Sequence, residues 1–295
     1  MSVFALPTSA TLILYEGFDY ATGNDGLVGQ SGGIGWGGSS WARTGSGNGS
    51  NSRIDVVSAL SFSDYANTGN ALRIENNNNN GGAYDQIIAS RQLTGLSLAA
   101  GTTVYTSYLF RQGGGASFAY ESGLRASDSS TNGGNESLKQ TPVTLFGSNG
   151  PDEAAFGYDS TTNSSASAVT GGGTTYLVIS KFENLGGAGA QNGSLWLLDT
   201  TNYDAIKAGG ITELELDSNN VVKLTDSTTG ISLGSSDFFQ FFGATDFGIA
   251  NQPDFDELKV FTDLSDLQAV PEPSAVILLI VAGIGLWGAK RLRSA

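Results

Sequence analysis

The sequence predicts an all-β fold, an antiparallel β-sandwich, from three observations. About fourteen short segments rich in β-branched and aromatic residues recur along the chain. The turns between them are rich in Gly, Ser and Asn, and glycine accounts for 42 of the 295 residues. No helical periodicity of apolar residues is found before residue 262, where TDLSDLQ predicts one short helical turn. This pattern leaves the jelly-roll and immunoglobulin-like strand orders both open.

The predicted strands are short, and polar loops separate some of them. The strands occupy residues 11–20, 53–57, 71–74, 86–90, 102–111, 118–124, 143–146, 154–158, 175–182, 194–198, 211–216, 221–224, 238–242 and 255–261. Segments rich in Gly, Ser, Thr and Asn predict surface loops at residues 21–51, 76–82, 126–138 and 160–173. Because leucine alternates with glutamate in 211–216, we interpret Glu213, Glu215 and Asp217 as the solvated face of an amphipathic strand.

Five segments give the chain a family resemblance. The strands YEGFDY, TTVYTSYLFR, TTYLVISKFE, GSLWLLDT and FDELKVFTDL occur in this order. Together they resemble the concanavalin-like or laminin-G-like lectin domain over residues 11–265. The resemblance implies a jelly-roll sandwich of two large antiparallel sheets whose first and last strands pair. It also implies sugar binding in loops or on a concave sheet.

The charge balance and two missing residue types exclude several classes of function. The chain has 14 basic and 28 acidic residues, a net charge of −14, and neither cysteine nor histidine. Thiol nucleophiles, disulfides, imidazole bases and zinc sites built from His or Cys are therefore excluded. The negative charge disfavours nucleic acid and favours the binding of cations.

The C-terminal segment has three parts. A polar motif, Val270-Pro271-Glu272-Pro273-Ser274, precedes an uncharged run over residues 275–289, and the basic residues Lys290, Arg291 and Arg293 follow. The uncharged run is shorter than the roughly 20 residues that cross a bilayer, so a buried or interfacial helix is the alternative. Because it has no polar face and cations follow it directly, we predict a single transmembrane helix over residues 275–289 and a basic cytoplasmic tail over residues 290–295.

This tail resembles the PEP-CTERM sorting signal of Gram-negative bacteria, through its motif, its apolar run and its basic end. The resemblance implies export, a transient stay in the inner membrane, and processing by an exosortase before the protein reaches the cell surface or the extracellular space. Residues 266–274 then form the linker that carries the motif. Residues 1–10 end in Thr8-Ser9-Ala10, which suits a cleavage site, so we expect the remnant of a signal peptide there. An ordinary N-terminus is the alternative.

A calcium site is the metal chemistry that the sequence favours. Calcium takes six to eight oxygen ligands and needs neither His nor Cys. The candidate ligands lie at the end of the first strand and the start of the last, and they are Glu16, Asp19, Asp254, Asp256 and Glu257. If the two strands pair, these acids meet at one edge of the sheet. The alternative is that they are ordinary loop acids of an acidic protein.

We predict no catalytic residues. Some enzymes of the sandwich family carry Glu-x-Asp-x-x-Glu on a strand, and this chain offers Glu215 and Asp217 but has Asn220 in the third place. An amide cannot donate the proton that glycoside hydrolysis requires. Without histidine there is no Ser-His-Asp arrangement either.

Aromatic side chains are the candidate sugar contacts, because aromatic rings can stack on sugar rings. The candidates are Trp36, Trp41, Tyr84 and Tyr120, whereas Trp196 in an apolar strand is assigned to the core. For the two loop tryptophans, pinning the loop to the core is the alternative. The sequence thus predicts an exported, non-catalytic surface or matrix protein that binds polysaccharide. A structural surface protein without a ligand and a carbohydrate-active enzyme are the alternatives.

Overall fold

The computed structural model describes residues 12–44, 53–65, 69–75, 85–111, 118–125, 142–146, 153–158, 164–167, 173–229, 238–245 and 252–268. The predicted sorting motif, the predicted transmembrane helix over residues 275–289 and the basic tail after it lie outside these ranges, as do residues 1–10. Among the residues described, no helix is long and apolar enough to cross a membrane.

The described residues form two antiparallel sheets. The strands are, in chain order, β1 (Leu12–Glu16), β2 (Ala42–Thr44), β3 (Arg53–Val57), β4 (Ala71–Glu75), β5 (Asp85–Gln92), β6 (Thr102–Arg111), β7 (Phe118–Arg125), β8 (Pro142–Phe146), β9 (Glu153–Tyr158), β10 (Ser164–Ser167), β11 (Thr175–Leu185), β12 (Ala190–Leu198), β13 (Val222–Thr229), β14 (Phe238–Thr245) and β15 (Asp254–Phe261). The eight-stranded sheet has the order β13-β12-β11-β6-β15-β4-β3, with β1 also paired to β15. The seven-stranded sheet has the order β10-β9-β8-β7-β14-β5-β2.

The all-β prediction and the predicted pairing of the first and last strands are confirmed. Strand β1 pairs antiparallel with β15, with Glu16 opposite Leu258. Two short strands were missed, since β2 and β10 lie inside segments that were predicted to be loops. Both are edge strands of the seven-stranded sheet, where one partner is enough to define a strand.

The main core lies between the two sheets. Alternate residues of a strand point to opposite faces, so each strand contributes every second side chain to this space. In β14 these are Phe239 and Phe241, which are buried together with Phe255 of β15. The ring centroids of Phe241 and Phe255 are 4.5 Å apart, which places this aromatic contact directly between the sheets. Phe238 and Gln240 of β14 therefore belong to the opposite, outward face of the seven-stranded sheet.

A second apolar cluster covers the outward face of the eight-stranded sheet. It is built on helices α1 (Thr200–Ile206) and α2 (Glu213–Ser218) and on a 3₁₀-helix (Leu264–Gln268). The 3₁₀-helix confirms the short turn predicted after residue 262. Both α-helices contradict the prediction that this region holds no helix, and α2 replaces the predicted strand over 211–216. No described residue of the seven-stranded sheet belongs to this second cluster.

Side-chain caps explain the two missed helices. The side chain of Asp199 accepts a hydrogen bond from the Asn202 N–H at the start of α1. Helix α2 begins with a capping box, in which Thr212 and Glu215 each satisfy the other's backbone N–H. The alternation of leucine and glutamate misled the interpretation because Leu216 is buried whereas Leu214 is 76% exposed.

One lysine is buried in the second cluster. Lys259 is 1% exposed. Its ammonium donates a hydrogen bond to the Leu267 carbonyl at 2.9 Å and lies 4.6 Å from the centre of the Tyr65 ring. Burial lowers the pKa of Lys259 to about 8, although Glu257 and Asp266 nearby favour the charged form.

This buried lysine predicts that the domain becomes more stable between pH 8 and pH 9.5. In the folded state the pKa of Lys259 is about 8, below its ordinary value of 10.5. Above pH 8 the unfolded chain therefore binds more protons than the folded one. The unfolding free energy should then rise by up to about 1.4 kcal/mol per pH unit. Urea unfolding at a series of pH values measures the slope. The Lys259→Met variant should lose it, and an equal slope in that variant would contradict the assignment.

Candidate functional site

Glu16 and Arg91 form a buried ion pair that joins the two sheets. Glu16 ends β1 in the eight-stranded sheet, Arg91 lies in β5 of the seven-stranded sheet, and each is 1% exposed. Glu16 Oε2 also accepts hydrogen bonds from Tyr20 Oη at 2.9 Å and from Trp41 Nε1 at 3.0 Å. Burial and the Glu16 carboxylate raise the pKa of Tyr20. The full set of partners makes Glu16 a structural anchor.

Trp36 and Trp41 belong to the core, so their predicted role as sugar contacts is wrong. They are 2% and 1% exposed. The Arg91 guanidinium lies over the Trp36 ring at 4.5 Å, and the Trp36 indole N–H donates to the Tyr15 carbonyl at 3.0 Å. The alternative interpretation, that they pin the loop to the core, is therefore correct. Tyr84 lies outside the described residues, and of Tyr120 only its backbone position in β7 is described.

The acids predicted to bind calcium do not meet as one cluster. Asp254 accepts hydrogen bonds from Arg73 Nε at 2.7 Å and Arg111 Nε at 3.1 Å. The Leu60 N–H donates to Asp256 at 2.8 Å, and Tyr15 Oη donates to both oxygens of Glu257 at 3.2 and 3.1 Å.

Four of the five predicted calcium ligands thus accept hydrogen bonds from protein donors, and Glu16 is one of these four. The fifth, Asp19, is exposed. Within the described ranges no group of three or more acids could hold a metal ion. The predicted convergence of Glu16, Asp19, Asp254, Asp256 and Glu257 is not observed.

The acids of α2 also have protein partners. Glu213 accepts a hydrogen bond from Tyr105 Oη at 2.6 Å and pairs with Lys181 at 2.7 Å. Asp217 pairs with Lys223 at 2.6 Å, and this hydrogen bond lowers the pKa of Asp217. A general acid in glycoside hydrolysis needs the opposite shift. These acids lie in a capped helix rather than on a strand, so the interpretation of a solvated strand face is also wrong.

The outward face of the seven-stranded sheet carries polar side chains in its middle strands. In β5, Ile87 and Ala89 point into the main core, so Ser90 faces outward. Ser90 lies directly opposite Gln240 of β14 and opposite Ala42 of β2. Gly123 of β7 lies opposite Gln240 on its other side. Thr44 lies two residues along β2, opposite Ile88.

The polar atoms on this face are enclosed and unsatisfied. Ser90 is 1% exposed and Gln240 is 2% exposed. In the described part of the chain, four atoms of this face have no hydrogen-bond partner, namely Thr44 Oγ1, Ser90 Oγ, Gln240 Nε2 and Gln240 Oε1. Although Ser90 and Gln240 are neighbours, neither satisfies the other. Ser107, the only other such side chain among the described residues, lies on the eight-stranded sheet.

Enclosed polar groups without partners require an explanation, because native proteins pair nearly all of them. The Gln240 amide offers free donors and a free acceptor, and since both ends are free, the argument holds for either orientation of the amide. The two hydroxyls can each donate and accept. We name this set of three side chains, Thr44, Ser90 and Gln240, the polar row. It suits a ligand that donates and accepts hydrogen bonds at closely spaced points.

The polar row could be suspected from one feature of the sequence. Gln240 interrupts four phenylalanines in the segment FFQFF, residues 238–242. A lone amide inside such an aromatic strand is unusual, because burying the strand also buries the polar amide. The other two members, Thr44 and Ser90, have no such signal.

No protein-family model matches this chain, and no curated protein matches it. Its fold is similar to solved structures, among them lectin UEA-II complexed with galactose, at a TM-score of 0.44 and 11% identity, over 86% of this chain and 99% of that one. A protein of unknown function from Shewanella oneidensis MR-1 aligns at a TM-score of 0.46 and 13% identity, over 88% and 91%. Lectin I from Ulex europaeus, with a methyl glycoside of α-L-fucose, aligns at 0.44 and 14%, over 76% and 98%. Because these scores are below 0.5, we base no inference on them.

Proposed function

We propose that this chain is an exported, non-catalytic protein of the cell surface or extracellular matrix whose sandwich binds polysaccharide. The observation that supports binding is the polar row on the outward face of the seven-stranded sheet. Sugars present closely spaced hydroxyls that donate and accept, which matches the free groups of Gln240, Ser90 and Thr44.

Energetics favour a ligand over a purely structural face. A buried polar group without a partner costs about 1–3 kcal/mol. Several such groups on one face would be a burden for a protein that only needs to fold, whereas a bound glycan would restore the missing hydrogen bonds. The acids that an enzyme would need are instead held in ion pairs and caps, as Glu215 and Asp217 are. The proposal needs no calcium at the acids considered above.

Glycan-array binding tests the proposal directly. We expect the wild-type domain to bind at least one class of polysaccharide, and the Gln240→Leu variant to lose at least tenfold in affinity. Activity assays on the bound polysaccharide should detect no cleavage. A wild type that binds nothing on the array would favour the purely structural alternative, and cleavage would favour the enzyme.

The sorting half of the proposal rests on the tail. We propose that an exosortase processes the chain near Val270–Ser274 during a transient stay in the inner membrane of a Gram-negative cell. Replacing Pro271, Glu272 and Pro273 with alanine should leave the chain unprocessed and retained in the membrane fraction, as judged by its mass on immunoblots. If the altered chain is processed and released like the wild type, the motif does not direct sorting.

A further inference from the structure

We infer that the 3₁₀-helix Leu264–Gln268 is a latch that slows the processing of the tail, because it holds the chain on the sandwich close to the sorting motif. The latch rests on the processing proposed above and adds a control of that step by the fold. Three observations carry it, namely the contacts of Leu267, the contacts of Gln268 and the short chain between Gln268 and Val270.

Leu267 is held by its side chain and by its carbonyl group. The side chain is fully buried in the second apolar cluster. The carbonyl accepts two hydrogen bonds, from Lys259 Nζ at 2.9 Å and from Tyr65 Oη at 3.2 Å. Both donors are buried, and a hydrogen bond from an ammonium is stronger than one between neutral groups. Leu267 is therefore fixed both to β15 and to the segment before β4.

Gln268 extends the latch to helix α1. Its side-chain amide donates a hydrogen bond to the Lys207 carbonyl at 3.2 Å, and Tyr203 Oη lies 3.4 Å from the same nitrogen. Lys207 is the C-cap residue of α1, and its ammonium pairs with Asp64 and Asp204, each at 2.8 Å. The end of the latch is thus bound to α1, and α1 in turn is bound to the segment before β4.

The chain between the latch and the motif is short. Val270 comes two residues after Gln268, so an extended chain places it at most about 7 Å away. The predicted transmembrane helix begins at residue 275, so it starts at most about 25 Å from Gln268. An exosortase has to fit its binding cleft around the motif within this gap between sandwich and membrane. While the latch is closed, the sandwich obstructs the approach to the residues before the motif.

Processing therefore requires the latch to open. Cleavage of one peptide bond near the motif consumes one water, whose oxygen joins the carbonyl carbon to give a carboxylate and whose two protons leave with the tail as an ammonium. A protease acts on the opened form of a segment that is tied to a fold, so the rate of processing follows the fraction of chains with an open latch. Each contact removed from the latch raises that fraction.

Pulse–chase labelling of the full chain in exosortase-bearing Gram-negative cells measures how fast the precursor is converted to the processed form. Tyr65→Phe removes one hydrogen bond to the Leu267 carbonyl but keeps the ring, and Gln268→Ala removes the contacts with α1. Each should speed processing roughly two- to tenfold, the factor by which one hydrogen bond shifts an equilibrium. Hydrogen exchange of residues 264–268 in the purified full chain should rise in the same variants.

A linker insertion separates access from other effects. About ten Gly and Ser residues inserted after Ala269 move the motif away from the sandwich, so this chain should be processed at least as fast as Tyr65→Phe. In the inserted chain, Tyr65→Phe should have no further effect. Gln191→Leu is the matched control, because it removes a hydrogen bond of a buried amide at the end of β12 away from α1. Its processing should proceed at the wild-type rate.

The outcomes separate the latch from the sorting signal. Wild-type rates of processing in both Tyr65→Phe and Gln268→Ala would overturn the latch while sorting stands. An equal acceleration by Gln191→Leu would also overturn it, because global unfolding would then limit access. If the wild type is not processed, or is processed equally well with alanines in place of the Pro-Glu-Pro motif, the sorting proposal itself fails.

Discussion

Replacing Arg91 with leucine is expected to lower the free energy of unfolding by about 3–5 kcal/mol. The substitution leaves the Glu16 carboxylate enclosed between the sheets without its cation. It also removes the donors to the Ser39 and Gly32 carbonyls, at 3.1 and 2.7 Å, and the cation–π contact with Trp36. Urea unfolding measures the loss.

Arg43→Leu is the matched control for this prediction. Arg43 pairs with Asp25 at 3.4 Å near the surface, where both side chains are substantially exposed. Exposed pairs contribute about 0–1 kcal/mol, so the control should change stability little. A double variant, Glu16→Leu with Arg91→Leu, should recover part of the loss, since no buried charge is then left alone. Equal losses for Arg91→Leu and Arg43→Leu would show that the buried pair is not an anchor.

Replacing Gln240 with leucine is expected to have opposite effects on stability and binding. Leucine removes a donor and an acceptor that have no partner among the described residues. The ligand-free domain should therefore gain about 1–2 kcal/mol in unfolding free energy. The same change should weaken glycan binding at least tenfold, because the two groups proposed to contact the hydroxyls are gone.

Gln191 provides a control of the same residue type. It is fully buried on the eight-stranded sheet, and its side-chain amide donates to the Asn184 carbonyl at 3.1 Å. Gln191→Leu should lower stability by about 1 kcal/mol, since it breaks a hydrogen bond of a buried amide, while the Asn184 carbonyl keeps the bond that it accepts from the Gly187 N–H. A loss of stability in Gln240→Leu as large as in Gln191→Leu would indicate that Gln240 has a structural partner.

Much of the fold could be predicted from the sequence because strand character is local. Residues 102–111 and 53–57 were predicted with the bounds that the structure gives. Helix α2 was missed although its capping box, Thr212 followed by Glu215, was visible. The strand prediction followed the alternation of leucine and glutamate alone, and the short length of the segment made the two periods hard to distinguish.

The candidate site was much less predictable, because it depends on contacts between distant residues. The sequence around Trp36 and Trp41 indicates a loop. Their burial depends on contacts with Arg91, which is far away along the chain. Strands β1 and β15 do pair as predicted, but their acids accept hydrogen bonds from protein donors, such as Arg73 and the Leu60 N–H, and do not meet as one cluster. Thr44, Ser90 and Gln240 lie on three strands that meet only in the finished sheet. Strand order, which local patterns do not encode, decides their proximity.

The most direct test of the central claim is the side-chain amide signal of Gln240 during a glycan titration. Selective ¹⁵N labelling of glutamine gives side-chain NH₂ signals, and the Gln240 pair is identified by its absence from Gln240→Leu. We expect this pair to shift in proportion to the bound fraction of a neutral polysaccharide fragment, while the Gln191 pair on the other sheet stays in place. If the glycan binds and the Gln240 signal does not move, the polar row is not the binding site.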